Sequence, residues 1–520
     1  MDSALRKKIG QMIIAGFPSP SVDSQAKQLV RDFDVGNFAL FTRNLISPEQ
    51  ASELCEELNS LVFERGGELA PFIGMDQEGG PVSRIYSGAS LFPGAMALSA
   101  SGIDAAFEIG NNCGRIIRAM GINSNFAPVL DVNISPVNPI IGTRSFGDDP
   151  LRVTMLGVDM MRGLKNANVL SVVKHYPGHG NVSEDSHLGI PKNATPREIL
   201  ENTEWLPFRN AFHAGADALM TAHVCYTDVD SERPATLSPI LMHDLLRVNM
   251  GFAGLALTDC LEMDAIKRCF GIGKGAVMAV EAGCDILCFS HTLEAVEEAF
   301  RGVYDAVKSG RLPEARIDKA IERIKAIKSK YGLIGRPIIE KDKAVALCKD
   351  QQVKAFYEKI SSASITLLST SKSGIDAIKL DQKVFFAPES LALTGAEDNK
   401  HDKLCFSLAC AEHFGGQGVV TPLNDVNEAA ETVLGTDFDV AVLGLYNARF
   451  RPGQVKLLRR LEESGKPLIV VLLGAPYDRT LVNRADAVIA AYEYTPLSVR
   501  AVIDSMDRGR FQGKSPVRLL

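Results

Sequence analysis

The sequence predicts an α/β protein: a (β/α)8 barrel of the TIM type followed by an α/β/α sandwich. Three observations lead to that expectation. Eight short apolar runs alternate with longer amphipathic stretches between residue 12 and about residue 290. Five of the runs end in a functional side chain: Asp76, Asp131, Lys174, Asp259 and Ser290. In a closed parallel barrel the C-terminal strand ends converge on one face, where the site lies. After a break near residue 335, a second β/α series begins.

The eight runs cover residues 12–17, 38–41, 72–76, 125–131, 169–174, 218–223, 255–259 and 286–290. Stretches between them, such as 102–120 and 294–307, carry apolar residues at helical spacing. Eight such units in series fit a closed barrel better than a doubly wound sheet. A helix is expected over 315–331, ending at Gly332, and Gly335-Arg336-Pro337 then breaks the pattern. The barrel domain is therefore expected to span 1–335. A linker and connecting helix occupy 336–360, the helix lying in the charged stretch 340–359. The second domain follows over 361–520, with strand-like runs at 365–368, 384–386, 440–443, 468–472 and 487–490. Gly415-Gly416-Gln417-Gly418 opens no helix and reads as a turn rather than a phosphate loop.

Composition narrows the partner. The chain has 520 residues, 46% hydrophobic and 23% charged, which is ordinary for a globular protein. Its net charge of -7 gives no electrostatic case for nucleic acid or an anionic membrane surface, which leaves a small molecule. The N-terminus enters an amphipathic pattern directly, without the apolar core of a secretion signal. No apolar run approaches the ~20 residues that span a bilayer. The ten cysteines are dispersed without a CxxC pair, as expected of reduced, buried thiols in a cytoplasmic protein. Nothing in the sequence sets an oligomeric state.

The densest chemistry lies in Lys174-His175-Tyr176-Pro177-Gly178-His179-Gly180 and on to Asp185-Ser186-His187. One Lys, three His and two carboxylates there follow a buried strand and occupy a Gly/Pro-punctuated loop. Asp185 and His187 stand at i and i+2, a spacing that lets a carboxylate orient an imidazole. An oriented His can hold or release a proton near neutrality. Asp259 ends another strand and aims a carboxylate into the barrel mouth. Such a pair suits cleavage of a glycosidic bond, which needs a proton donor to the leaving oxygen and, with retention, a carboxylate nucleophile.

Four motifs resemble glycoside hydrolase family 3, in its β-N-acetylglucosaminidase branch. They are Asp76-Gln77-Glu78-Gly79-Gly80 with Arg84; Asn125 through Asn133 with Arg144-Ser145-Phe146-Gly147; the loop from Lys174 to His187; and Leu257-Thr258-Asp259. The resemblance implies Asp259 as nucleophile, His187 as general acid/base and Asp185 as its partner. It further implies that Asp76, Arg84, Arg144, Lys174 and His175 bind the sugar, with no metal or other cofactor. The implied substrates are GlcNAc-terminated glycosides of peptidoglycan or chitin type. Two positions depart from the family pattern: Pro81, where Arg is more common, and Cys260, where an acidic residue is common. Phosphorolysis and β-glucosidase specificity are the nearest alternatives. A non-catalytic sugar-binding protein is more distant. So is a metal hydrolase using His175, His179, Asp185 and His187, because Pro177-Gly178 prevents the helix that would align two of those ligands.

Overall fold

The computed structural model describes residues 2–85, 91–182, 189–372, 374–392, 397 and 404–519. Eight parallel strands close into a barrel: β1 (Ile13–Ala15), β2 (Asn37–Leu40), β3 (Phe72–Met75), β4 (Ser124–Asn125), β5 (Leu170–Tyr176), β6 (Ala218–Thr221), β7 (Leu255–Cys260) and β8 (Ile286–Phe289). Each pairs with its neighbours in sequence, and β1 pairs with β8 to close the ring. The strands are buried almost throughout, as expected when helices cover the outer face. Helices such as Pro48–Glu64 and Pro150–Asn166 form that cover. Each begins with proline at its first turn, where a missing N–H costs nothing, behind a capping Ser47 or Asp149.

The run at 125–131 is only partly a strand. The ladder stops at Asn125, and Pro128, which has no N–H to give, lies in the stretch that follows. The chain still follows β5, because Lys174 N donates to Pro128 O at 3.1 Å and Leu130 N donates to Lys174 O at 2.6 Å. Asp131 is thereby delivered to the mouth without a regular strand. Lys174 and His175 are successive residues of β5, which would ordinarily face opposite sides. The pairing of β5 with β6 shifts between Val173 and Tyr176, and both side chains reach the same charged cluster.

The second sheet has six strands: β9 (Thr366–Thr370), β10 (Lys383–Ala387), β11 (Gln417–Val420), β12 (Val440–Leu445), β13 (Leu468–Leu472) and β14 (Ala487–Ala490). Their order is β9-β14-β13-β12-β10-β11, and only β9 runs antiparallel. Apolar clusters lie on both faces, as in a three-layer sandwich. Two expectations are corrected here. The turn at Gly415 and Gly416 is real, with φ of 71° and 106°, but Gln417 and Gly418 already belong to a strand. The stretch at 340–359 is two helices, Lys341–Cys348 and Gln351–Ser364, because the Asp350 side chain caps Gln352 N and Val353 N and restarts the helix.

No helix among the described residues is long and apolar enough to cross a membrane. All ten cysteines are free thiols, and Cys269 alone is exposed.

Candidate active site

The mouth of the barrel holds a compact charged network built from β3, β4 and β5. Asp76 follows β3. Its Oδ1 accepts from Lys174 Nζ at 2.6 Å and its Oδ2 from Arg84 Nη2 at 3.1 Å. Lys174 Nζ also lies 2.6 Å from Glu78 Oε1. Glu78 in turn takes a bidentate pair from Arg144, Nε at 2.9 Å and Nη2 at 2.8 Å. Lys174, Arg84, Arg144 and Glu78 are buried, whereas the Asp76 side chain is 18% exposed and is the most open member of the network.

The loop after β3 is fixed by local bonds. Asn125 of β4 clasps the Gln77 backbone from both sides, accepting from Gln77 N at 2.9 Å and donating to Gln77 O at 3.0 Å. Gln77 Oε1 accepts from Arg84 N at 2.8 Å, which folds the chain back so that the Arg84 guanidinium meets Asp76. Gly79 and Gly80 have φ of 93° and 56°, conformations that cost other residues dearly.

Electrostatics follow from this geometry. Burial would raise the Asp76 carboxyl, but Lys174 and Arg84 outweigh it and hold the group far below the usual carboxylate range. Burial likewise opposes ionisation of Glu78, yet Arg144 and Lys174 bring it down to about 2. Both acids are ionised at neutral pH.

His175 is oriented by Asp131, which is fully buried. Nδ1 lies 2.7 Å from Asp131 Oδ2, and Nε2 lies 3.5 Å from Arg144 Nη2. A carboxylate only accepts, so the Nδ1 that faces Asp131 carries a proton. Asp131 Oδ1 also accepts from the backbone N–H groups of His175 at 3.2 Å and His179 at 2.7 Å. Burial raises the Asp131 carboxyl, and His175 with these donors brings it below its ordinary value. His179 is buried beside His175, ring centroids 5.9 Å apart, and burial lowers it to about 4. Its ring is neutral near pH 7.

Asp259 is half-buried at the end of β7, and its Oδ1 accepts from Cys260 N at 2.7 Å. His223, at the end of β6, braces this turn: Nε2 lies 3.1 Å from Cys260 O and Nδ1 lies 2.8 Å from Thr236 Oγ1. A carbonyl only accepts, so Nε2 carries the proton. Cys260 Sγ points to Glu262 Oε2 at 3.7 Å. That carboxylate also accepts from the backbone N–H groups of Ser290, His291 and Thr292 at the end of β8.

Five expected residues, Asp76, Arg84, Arg144, Lys174 and His175, thus meet in one network, with Asp259 at the same end of the barrel. Asp185 and His187 lie outside the described residues. The chain that leads into their segment is held by three hydrogen bonds. Tyr226 OH donates to Gly178 O, Asn138 Nδ2 donates to His179 O at 2.7 Å, and Ser135 N donates to Gly180 O at 3.2 Å. Sequence reasoning marked Asp131 only as a strand-end functional group, without its pairing to His175, and singled out neither Glu78 nor His223. Glu78 and Asp131 stood inside quoted motifs, and an unpaired acid beside so many cations was the available signal. Among the described residues no three His, Cys, Asp or Glu side chains group as a metal site.

The glycosyl hydrolase family 3 N-terminal domain model matches residues 4–327. The chain is 28% identical to beta-hexosaminidase A of Pseudoalteromonas piscicida over 509 residues, 90% of this chain and 85% of that one. A beta-hexosaminidase of Xylella fastidiosa (strain M12) is 34% identical over 303 residues, 56% of this chain and 87% of its own. Among solved structures, a glycoside hydrolase family 3 beta-N-acetylglucosaminidase from Paenibacillus sp. str. FPU-7 superposes with a TM-score of 0.91. It shares 34% identity over 99% of both chains. With barrel, sandwich and ionised mouth all in place, this chain belongs to glycoside hydrolase family 3 and is a glycosidase.

Proposed function

We propose that the protein is a retaining exo-β-N-acetylglucosaminidase that removes terminal GlcNAc from β-linked amino-sugar glycans, namely peptidoglycan or chitin-type fragments, in the cytoplasm. Asp259 attacks the anomeric carbon and forms a glycosyl-enzyme. His187, oriented by Asp185, gives a proton to the leaving oxygen and then takes one from the incoming water. Asp76 accepts from sugar hydroxyls, and Arg84, Lys174, Arg144 and His175 complete the sugar-binding wall.

The observation that carries this reading is the pairing of an ionised, partly open Asp76, flanked by buried cations, with Asp259 at the end of β7. Asp76 offers an acceptor whose position is locked by two cations, which suits a ring of hydroxyl donors. The likeness to the Paenibacillus beta-N-acetylglucosaminidase over the full chain supports an amino sugar at that place.

The test is turnover of a nitrophenyl N-acetylglucosaminide beside the matching glucoside. The N-acetylglucosaminide is the better substrate, and Asp259→Ala lowers kcat more than about a thousandfold. His187→Ala loses about 10²–10⁴-fold on substrates with poor leaving groups and far less on a dinitrophenyl glycoside, which departs unaided. Preference for the glucoside, or an active Asp259→Ala, would refute the assignment. A sugar 1-phosphate formed in phosphate buffer would make the enzyme a phosphorylase.

A further inference from the structure

Glu493 is a carboxyl that the barrel chemistry leaves unused. It follows β14 in the second domain, is 1% exposed, and points across to the barrel. Its Oε2 accepts from Gly94 N at 2.6 Å and its Oε1 from Thr495 Oγ1 at 2.9 Å. The approach depends on two glycines: a Cβ on Gly80 would stand 2.8 Å from Oε2, and one on Gly94 would stand 3.1 Å away. Gly80 N also donates to Phe92 O at 2.8 Å, so Gly80 and Phe92–Gly94 form one joint, with Glu493 set into it.

That joint terminates the loop that carries Asp76 and Glu78. Glu78 N and Gly79 N both donate to Val82 O, at 2.9 and 3.2 Å, and the loop closes directly against Gly80. The second domain braces the neighbouring segment too. Asn133 Nδ2 donates to Tyr477 OH at 3.0 Å, Arg449 Nη1 donates to Pro136 O at 2.7 Å, and Asp148 N donates to Pro516 O at 3.3 Å. Those contacts frame the stretch that holds Arg144. Glu493 is the acidic side chain of the set that reaches the Asp76 loop.

We propose that the second domain supplies a positioning residue to the sugar site: Glu493, through Gly94 and Gly80, sets the loop on which Asp76 and Glu78 stand. The inference rests on Asp76 being a sugar anchor, as proposed above. It gives the Gly79-Gly80 pair and the second domain a share in substrate affinity.

The groups that meet this carboxyl are uncharged: the Gly94 N–H from the barrel and the Thr495 hydroxyl at the start of helix Pro496–Arg508. The flanking Tyr492 and Tyr494 phenols are pushed up to about 12 and beyond, so they stay neutral. Burial raises Glu493 to about 7, and its charge therefore changes between about pH 6 and 8. The carboxylate binds Gly94 N–H with charge assistance, and the acid binds it less firmly.

The experiment measures competitive inhibition by GlcNAc, with glucose beside it, in the full-length enzyme from pH 6 to 8. Glu493→Ala raises the inhibition constant about tenfold, in keeping with a small displacement of a binding group. Glu493→Gln, a neutral isostere, matches the wild type at pH 6 and falls behind it several-fold at pH 8. A wild-type inhibition constant in a folded Glu493→Ala, or a wild-type/Gln ratio flat across this pH range, overturns the proposal. The ratio remains decisive if Glu493→Ala fails to fold. Asp76→Ala is the control: if it too binds GlcNAc normally, the anchor reading is at fault and the inference falls with it.

Discussion

Lys174 holds two carboxylates at once, and the energetics of the mouth turn on it. Its ammonium is 2.6 Å from both Asp76 and Glu78 and is almost wholly buried. Removing one member of a buried ion network strands the others in a poor solvent. Lys174→Met, which keeps the aliphatic stem, is expected to cost about 3–5 kcal/mol in urea denaturation as well as sugar binding. A loss below about 1 kcal/mol would contradict the network. The pH dependence follows from the same groups. Glu78 is depressed to about 2 in the folded protein and Asp76 lower still. Their contribution is therefore complete above the ordinary carboxylate range, and it drains away as pH falls from about 4 towards 2. The anchors were legible as strand-end charges. Their partners were not: Glu78 and Arg144 stand 66 residues apart, and only folding brings them together.

At the scale of elements, the eight barrel strands could be read because burial on both faces writes continuous apolar runs. Exceptions have local causes. β11 was hidden because its glycines resemble a turn. Gly418 is there for packing, since a Cβ would meet Ser407 O at 2.8 Å on the helix Phe406–Phe414. The stem of the 183–188 segment offers a sharper test of the same kind. A Cβ at Gly180 would fall 1.7 Å from Val132 O, one residue after Asp131. Gly180→Ala must push the stem outward. It is expected to cost about 1–3 kcal/mol of stability and to lower kcat on poor leaving groups more than on good ones. Denaturation and the two substrates together check this, and a variant unchanged in both would disprove the close approach. No sequence pattern announces such a contact. A glycine before Asn181 looks like any flexible loop residue.

Over the whole molecule, the two domains are joined by buried polar bonds and by an apolar patch that includes Met96, Ala97, Tyr477 and Tyr492. The division into barrel and sandwich was visible in the alternation of β and α segments. The interface was not, because Glu493 and Pro516 sit in loops and Tyr477 in a single short turn of helix, Pro476–Leu481, none of which has a periodic signature. Glu493 also gives this interface a stability signature. Its folded pKa, about 7, lies above the 4.5 of a free carboxyl, so the native state is favoured at low pH and penalised as pH rises through 7. The penalty above pH 7 is up to about 3 kcal/mol. Glu493→Gln lacks it and should gain stability over the wild type at pH 8 but not at pH 4. Thermal melts at the two pH values check this, and equal differences at both would refute it.

Cysteine distribution has a practical consequence. Eight of the ten thiols are buried and Cys260, the neighbour of Asp259, is half-buried; desolvation pushes its thiol up to about 12, so it stays protonated. Cys269 alone faces solvent, ten residues past Asp259 and within electrostatic reach of Cys225, whose strand pairs with Lys192–Asn193. The native chain therefore carries one natural attachment point for a fluorescent dye. A dye there reports on the surface past the end of β7 without altering a single residue.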